Sequence, residues 1–495
     1  MKNIVEIFLQ AAEKYPDRIA IVDKDQSITY AELKAQAKQT TAYFQQKGIQ
    51  KGDRILVFVP MSVDLYRIVL AIFYVGATAV FLDEWVSKKR LEICCQIADC
   101  RGFVGVWKAR IFTLFSKELR SIPIKLSLKK LAKTSVAITE IDADDAALIT
   151  FTTGSTGTPK AARRTHEFLK AQFDALLQEI KPKARDVDMP VLPIVLFMNL
   201  GIGCTSVIAD FKMSKPEKME VSKVVAQLSD NQVNRIIASP YFVTRLAQYV
   251  IQNDLDLPHL EKIFTGGAPV FPAEAKLYEQ AFPKATTKIV YGSTEAEPIS
   301  SIDAKDLVKR EVQLSKGLPV GIPFHQAEVK IIKITMQEIV VKNEAAFKKI
   351  VLPEGKIGEI IVSGKHVLKQ YFNNEAAFRA NKIVVGETIW HRTGDSGFFD
   401  GEELFLTGRC KQLIETENDY LSPFIIENEL QSLEGVSMGT LMEVEQKLIL
   451  VIEGRLTDNQ NLNFPFDRIQ HIQKIPRDPR HYSKIDYARL KIMLK

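Results

Sequence analysis

The chain has too few cysteines, in the wrong places, for a metal knuckle: five at positions 94, 95, 100, 204 and 410, so at least one thiol stays unpaired. A reducing cytoplasm is the expected setting. The opening residues Met1-Lys2-Asn3 run straight into an amphipathic helical pattern ending near Glu13, not into the continuous apolar segment of a secretory signal. No export is implied. Long apolar runs are missing too, since Ile68 to Leu82 is shorter than the roughly 20 residues that span a bilayer. Pro190 to Ala209 is interrupted by Pro193, Asn199, Gly201 and Gly203. An integral membrane protein is therefore not expected. Basic runs are absent as well: 66 basic and 60 acidic residues leave a net charge of +6, with no patch that points to a nucleic-acid partner. The anion such a chain wants is small.

What is present is material for a large core, 495 residues of which 46% are hydrophobic and 25% charged, enough for two or more domains. Thr29 and Glu32 make a capping box before a helix to about Gln46, Gly48 stops it, and Arg54 to Val59 is a short buried strand. Further strands are expected at Thr78–Leu82, Ala147–Phe151, Arg235–Ala238, Lys262–Phe264 and Thr287–Val290, most followed by glycine-bearing turns and helical patterns. This alternation predicts an α/β fold with parallel sheets. Ile68–Leu82 reads as a buried helix running into a strand, and Pro190–Ala209 as strand, loop and helix start. From Lys330 the texture becomes strand-rich, as in Gly358–Ser363 and Glu403–Leu406. A small α+β unit follows, with a helix over Ser422–Ser432, a strand over Leu448–Ile452 and a basic tail. The expected division is a large domain over 1–408 (α/β sheets to 329, β-rich 330–408) and a small one over 409–495.

The stretch "FTTGSTGTPKAARRTH" (Phe151–His166) reads as a strand ending in a glycine- and hydroxyl-rich loop that opens a helix. Such a loop cradles phosphate, because glycines let backbone N–H groups approach oxygen and hydroxyls add donors. Lys160 would add charge. The Walker spacing fails, since only two residues separate Gly154 from Gly157 and Lys160 follows Pro159; alone, the stretch is equally compatible with a polar surface turn. Four others accompany it: "TGGAP" (Thr265–Pro269), "VYGSTEAEP" (Val290–Pro298), "RTGDSGFF" (Arg392–Phe399) and "LTGRCKQLIE" (Leu406–Glu415). In order and spacing the set resembles the adenylate-forming superfamily of acyl-CoA synthetases, peptide-synthetase adenylation domains and firefly luciferase, over essentially the whole chain.

That resemblance implies ATP and Mg2+ as cofactors and a small-molecule carboxylic acid, with an apolar chain, as substrate. The acid attacks the α-phosphate of ATP, giving an acyl-adenylate and pyrophosphate. Thr152, Thr153, Ser155, Thr156 and Lys160 are similar to the loop that closes over the β- and γ-phosphates. Tyr291 resembles the aromatic that stacks on adenine, beside Gly292, with Gly266, Gly267 and Ala268 as the other wall. Thr294 would bond the α-phosphate and Glu295 hold Mg2+, a hard cation that takes one or two carboxylates. Asp395 is similar to the acid that grips both ribose hydroxyls, and Arg409 to its basic neighbour. Lys411 matches the hinge about which the small, mobile C-terminal domain turns. In "PRDPRHYSKIDYARLK", Lys484 stands where the family carries its adenylation lysine, with Ser483 in place of a glycine.

Two departures bear on the second half-reaction. After the hinge, many ligases carry a lysine and a glycine along the pantetheine channel. Here Glu415 replaces that lysine, and no glycine occurs from Glu415 to Pro423. "IETENDYLSPFIIE" (Ile414–Glu427) and "RHYSKI" (Arg480–Ile485) instead resemble the β-lactone synthetases of bacterial olefin biosynthesis. In that branch a β-hydroxyl of the substrate closes on the activated carboxyl, without CoA. Transfer of the acyl group to CoA is the expected second half-reaction, with CoA-independent lactone closure ranked close behind as its alternative, and a non-catalytic nucleotide-binding relative is a third reading. Leu196, Phe197, Met198 and Leu200, with Val207 and Ile208 behind, are candidates for an acyl tunnel or simply for core.

Overall fold

The computed structural model describes residues 2–82, 88–134, 136–152, 159–310, 316–416, 420–456, 462, 464–478 and 484–494, without the side chains of 112–114 and 152. The chain is α/β and divides into two compact units, residues 1–237 with 294–297 and 365–380, and residues 238–293 with 298–364 and 381–495.

The first unit holds two sheets. Strands β1 (Ile19–Asp23), β2 (Gln26–Thr29), β3 (Arg54–Phe58), β4 (Thr78–Phe81), β5 (Gly102–Gly105), β6 (Ile124–Leu126), β7 (Ala146–Thr152), β8 (Lys160–Thr165), β9 (Val187–Pro190), β10 (Thr205–Ile208) and β11 (Arg235–Ala238) follow in chain order. One sheet runs β6-β5-β3-β4-β7-β8 and is parallel except for the β7–β8 hairpin. The other runs β11-β9-β10-β1-β2, parallel except at β1–β2. Helices α1 (Val5–Lys14), α2 (Tyr30–Gln46), α3 (Val63–Tyr74), α4 (Lys88–Ala98), α5 (Trp107–Phe115), α6 (Lys117–Ser121), α7 (His166–Ile180) and α8 (Pro193–Ile202) belong to the same unit. The capping box of α2 forms as the sequence indicates, with both the Thr29 and the Glu32 side chains engaged. Helix α3 is buried on all sides from Leu65 to Tyr74: the run from Ile68 is uncharged and apolar, and the one buried cation, Arg67, donates to Asp64 at 2.7 Å and to Thr40 at 2.6 Å.

Two local expectations are corrected. Pro190–Ala209 holds a whole helix between two strands, not a loop. Pro193 occupies the first turn of α8, where its missing N–H has no partner to lose, and Gly203 ends the helix at φ 95°. Within α8, Gly201 is required by packing, since a Cβ there would lie 2.5 Å from Ile7 and 2.7 Å from Phe173. Second, the glycine-rich stretch does not open directly into a helix. Lys160 begins β8, and α7 starts only at His166, capped by Thr165.

A buried polar cluster ties the second sheet to α8. Arg235, 1% exposed, donates to Asp186 at 2.7 Å and to the Asn199 side-chain carbonyl at 2.8 Å, and its Nε lies 3.3 Å from Asp188. Asn199 in turn donates to Asp188 at 2.6 Å and to Ser206 at 3.0 Å. Burial pushes the Asp188 carboxyl up, and the Arg235 charge opposes that shift.

In the second unit β12 (Lys262–Gly266) pairs in parallel with β13 (Thr286–Ser293). From there the order is β13-β14-β15-β20-β19-β17-β16, with β14 (Ala296–Asp303), β15 (Leu318–Pro323), β16 (Glu328–Ile332), β17 (Gly358–Ser363), β18 (Lys382–Val385), β19 (Thr388–Asp400) and β20 (Glu403–Arg409). The ladder from β14 onward is antiparallel, and β18 pairs with β19. Farther along, the helix Pro423–Gln431 packs on the antiparallel pair Val436–Val444 and Lys447–Gly454, extended by the parallel strand Arg468–Ile472.

Arg235→Ala leaves Asp186 and Asp188 buried without their cation, and should cost about 3–5 kcal/mol of stability. Urea unfolding of the variant checks this, and a loss below about 1 kcal/mol would show the cluster to be dispensable.

Candidate active site

The residues singled out by sequence fall into two sets, one in each unit. In the first, β7 and β8 are in register with Thr152 opposite Lys160 and Phe151 opposite Ala161. Thr153, Ser155 and Thr156 lie outside the described residues, as does the side chain of Thr152. The Lys160 ammonium lies 5.9 Å from the centre of the Tyr371 ring. Backbone pairing holds Tyr371 there, through a bridge to Ala162 and a 2.8 Å bond from the Phe372 N–H to the Ala161 carbonyl. The Tyr371 hydroxyl donates to Glu295 at 3.3 Å. Burial, then the nearby Glu295 charge, pushes the Tyr371 phenol well above its usual range, so it stays a neutral donor. Glu295 is buried, and its carbonyl accepts from the Leu368 N–H at 2.7 Å. Arg164 donates to the Thr294 carbonyl at 3.0 Å. Lys160, Thr294 and Glu295 are thus linked by two residues that sequence reasoning missed. Tyr371 and Arg164 stand at no motif spacing from Glu295, and only chain folding brings them there.

The second set centres on Asp395. The Tyr291 hydroxyl donates to one carboxylate oxygen at 3.0 Å and Arg409 to the other at 2.6 Å. Asp395 and Arg409 face each other across β19–β20, so the ladder register makes the pair. The Thr393 hydroxyl accepts from the Asp395 N–H at 3.0 Å and donates to the Ile360 carbonyl at 2.7 Å, which fixes the turn. Asp395 is largely buried while half of the Arg409 side chain is exposed. The carboxylate holds the Arg409 pKa above its ordinary value, and burial beside it raises Tyr291. Gly266 lies opposite Val290 in the β12–β13 pair, and a Cβ on it would come 2.4 Å from the Val290 carbonyl oxygen. Gly267 follows at φ 85°, and Ala268 and Gly292 are half-buried. The wall expected of the "TGGAP" stretch thus adjoins the strand that carries Tyr291.

Lys411 and Lys484 are both exposed. Lys411 lies in the short 3-10 turn Cys410–Gln412 after β20. The Lys484 N–H donates to the Asp478 side chain and its carbonyl accepts from the Asp478 N–H, each at 2.8 Å. The helix Tyr487–Leu494 follows, anchored by Tyr487, whose hydroxyl donates to the buried Glu427. Thr440 donates to the same carboxylate at 3.0 Å. Burial pushes Glu427 up to about 7 against these hydrogen bonds.

The first unit also contains an apolar cavity of about 60 Å³ among α1, α3, α7 and α8. Phe197, Met198 and Leu200 line it; Leu196 and Leu200 both belong to the hydrophobic core, and Val207 and Ile208 are buried in β10. Gln172 is its polar wall residue; it is 3% exposed, with no partner for its carbonyl oxygen among the described residues. The five cysteines are free and buried, and burial pushes Cys204 up to about 11, which keeps it an unreactive thiol.

The second unit thus holds a carboxylate gripped by a tyrosine and an arginine beside a glycine-bearing strand pair, and the first a buried carboxylate held by a tyrosine that also faces Lys160. Residues 8–372 match the family described as AMP-binding enzyme. The chain belongs to that family. It is an adenylate-forming enzyme, a class that uses ATP and Mg2+. The chain is 28% identical, over 84% of its length and 79% of the relative's, to an olefin β-lactone synthetase from Xanthomonas campestris. A protein of the same name from Stenotrophomonas maltophilia is 27% identical over 89% and 85%. The 2-succinylbenzoate–CoA ligase of Bacillus subtilis is also 27% identical over 89% and 85%. The fold matches an amide bond synthetase from Marinactinospora thermotolerans (TM-score 0.82, 19% identity, 99% of both chains). It also matches the O-succinylbenzoate coenzyme A synthetase of Bacillus subtilis in complex with ATP and magnesium ion (TM-score 0.78, 22% identity, 98% of this chain and 99% of the other). Among the described residues no helix is long and apolar enough to cross a membrane.

Because Glu427 titrates higher when folded than the carboxyl's ordinary 4.5, its contribution to stability is full below about 4.5 and is lost as pH rises towards 7. Glu427→Gln should remove about 3 kcal/mol of that decline, read as a flatter plot of unfolding free energy against pH from 4.5 to 7. An unchanged slope would place the titration elsewhere.

Proposed function

We propose that the protein activates an apolar carboxylic acid as its acyl-adenylate, consuming ATP and releasing pyrophosphate. The observation that carries the reading is Asp395. Each of its oxygens accepts one protein hydrogen bond, and a carboxylate oxygen has two lone pairs, so both could also accept a ribose hydroxyl. Tyr291 and Gly292 would flank adenine on one side and Gly266, Gly267 and Ala268 on the other. Thr294 would meet the α-phosphate. Lys160, with the hydroxyls of Thr152, Thr153, Ser155 and Thr156, would hold the phosphates that leave. Glu295 suits Mg2+, a hard cation that takes one or two carboxylates, because it is a buried hard-oxygen donor kept in place by Tyr371. Bound there, Mg2+ would offset phosphate charge as the bond to pyrophosphate breaks. Lys484 would carry positive charge to the attacking carboxylate and the α-phosphate, reaching them as residues 409–495 turn about Lys411.

The apolar cavity beside Phe197 and Met198 supports an acid with a hydrocarbon chain. For the second half-reaction we infer closure by the acid's own β-hydroxyl. Glu415 in place of lysine and the run without glycine to Pro423 favour it over thioester formation with CoA, as do the two relatives named for β-lactone synthesis. The likeness to a CoA ligase keeps CoA transfer as the second reading. The five buried free thiols fit a cytoplasmic setting.

Lys484→Ala should lower acid-dependent ATP–pyrophosphate exchange by orders of magnitude while ATP still binds; unchanged exchange refutes its role. With a long-chain β-hydroxy acid and no CoA, the purified enzyme should release pyrophosphate and yield a lactone. A product that forms only with CoA, as the thioester, would establish the ligase reading instead.

A further inference from the structure

Helix α5 turns an apolar stripe to solvent. Trp107, Ile111 and Phe115 recur every fourth residue on one face and are 66%, 44% and 66% exposed. Single exposed hydrophobes are ordinary, but three in register on one helix are not. The opposite side holds the helix to the fold: Ala109 packs inward against the cluster of Phe103 and Leu119, and Arg110 donates to the Leu126 carbonyl at 2.6 Å. Cations border the stripe. Lys108, Arg110, Lys117 and Arg120 are exposed, and the Lys108 ammonium lies 5.5 Å from the centre of the Trp107 ring. The one acid between Trp107 and Ser121 is Glu118, which accepts from Ser116 at 3.3 Å and from Gln96 at 3.4 Å.

Four cations against one acid around an apolar centre call for an occupant that is apolar in the middle and anionic around it. An anionic bilayer selects for this pattern: tryptophan and phenylalanine rest at the headgroup level while lysine and arginine meet phosphates. We propose that α5 and α6 form a docking face for the surface of an anionic phospholipid membrane. The attachment is peripheral, with aromatic side chains entering the headgroup layer and no segment crossing it. It does not depend on which acid the enzyme activates.

The test is co-sedimentation of the full chain with vesicles of phosphatidylcholine containing one-quarter phosphatidylglycerol. Wild-type protein should sediment with them and bind pure phosphatidylcholine at least about tenfold more weakly. W107S/I111S/F115S should lose about tenfold or more in binding, and K108E/K117E should lose the preference for anionic lipid. Both variants should keep wild-type pyrophosphate release with a short water-soluble acid, which shows them folded. Wild-type protein left in the supernatant, or a triple variant that sediments as well as wild type, overturns the proposal. So does a concentration-dependent dimer that the triple substitution abolishes while wild type ignores vesicles, since the face would then join two copies of the chain.

Discussion

A carboxylate withdrawn from water has to be met by donors, and that requirement recurs wherever this protein is organised. Asp395 is met by Tyr291 and Arg409, Glu295 by Tyr371, and Asp186 and Asp188 by Arg235 and Asn199. Glu359 accepts from Arg392 at 2.9 Å, and Glu427 from Tyr487 and Thr440. Each carboxylate joins segments far apart in sequence, so satisfying its charge also sets the register of strands and the seat of helices. In the second unit the strand pairing itself places Arg409 opposite Asp395, so register and ion pair are one feature.

The donors differ in kind, and the difference sorts structural from functional positions. Arg235 and Arg392 are buried with their acids, where a permanent charge is compensated and water is excluded. Arg409 is half exposed, so its ion pair is open on one side to an incoming hydroxyl or phosphate. Tyr371 and Tyr487 supply neutral donors instead, which orient a carboxylate without cancelling its charge.

Much of the fold was legible from local chemistry. The Thr29–Glu32 box, the uncharged run of α3 and the strands before glycine-bearing turns each follow from residue types a few positions apart. Pro193 and Gly203 misled because the same residues break a pattern or bound a helix, and their neighbours in space decide which. Lys160 misled in a similar way, as the hairpin that makes it a strand residue depends on pairing with Thr152. The motif residues were legible because adenylate chemistry demands particular side chains at short spacings. Tyr371, 76 residues from Glu295, was not.

By itself, then, the sequence determined the alternation of strands and helices and the identity of the charged groups, which depend on short-range spacing, and the family, which depends on the order of its motifs along the chain. Tertiary structure decided which donor meets which carboxylate, since those contacts close loops of tens to hundreds of residues. It also decided that Trp107, Ile111 and Phe115 face outward. Their spacing predicts a common face in either case, and among the described side chains the packing of Ala109 and the tether of Arg110 show which face of α5 is buried.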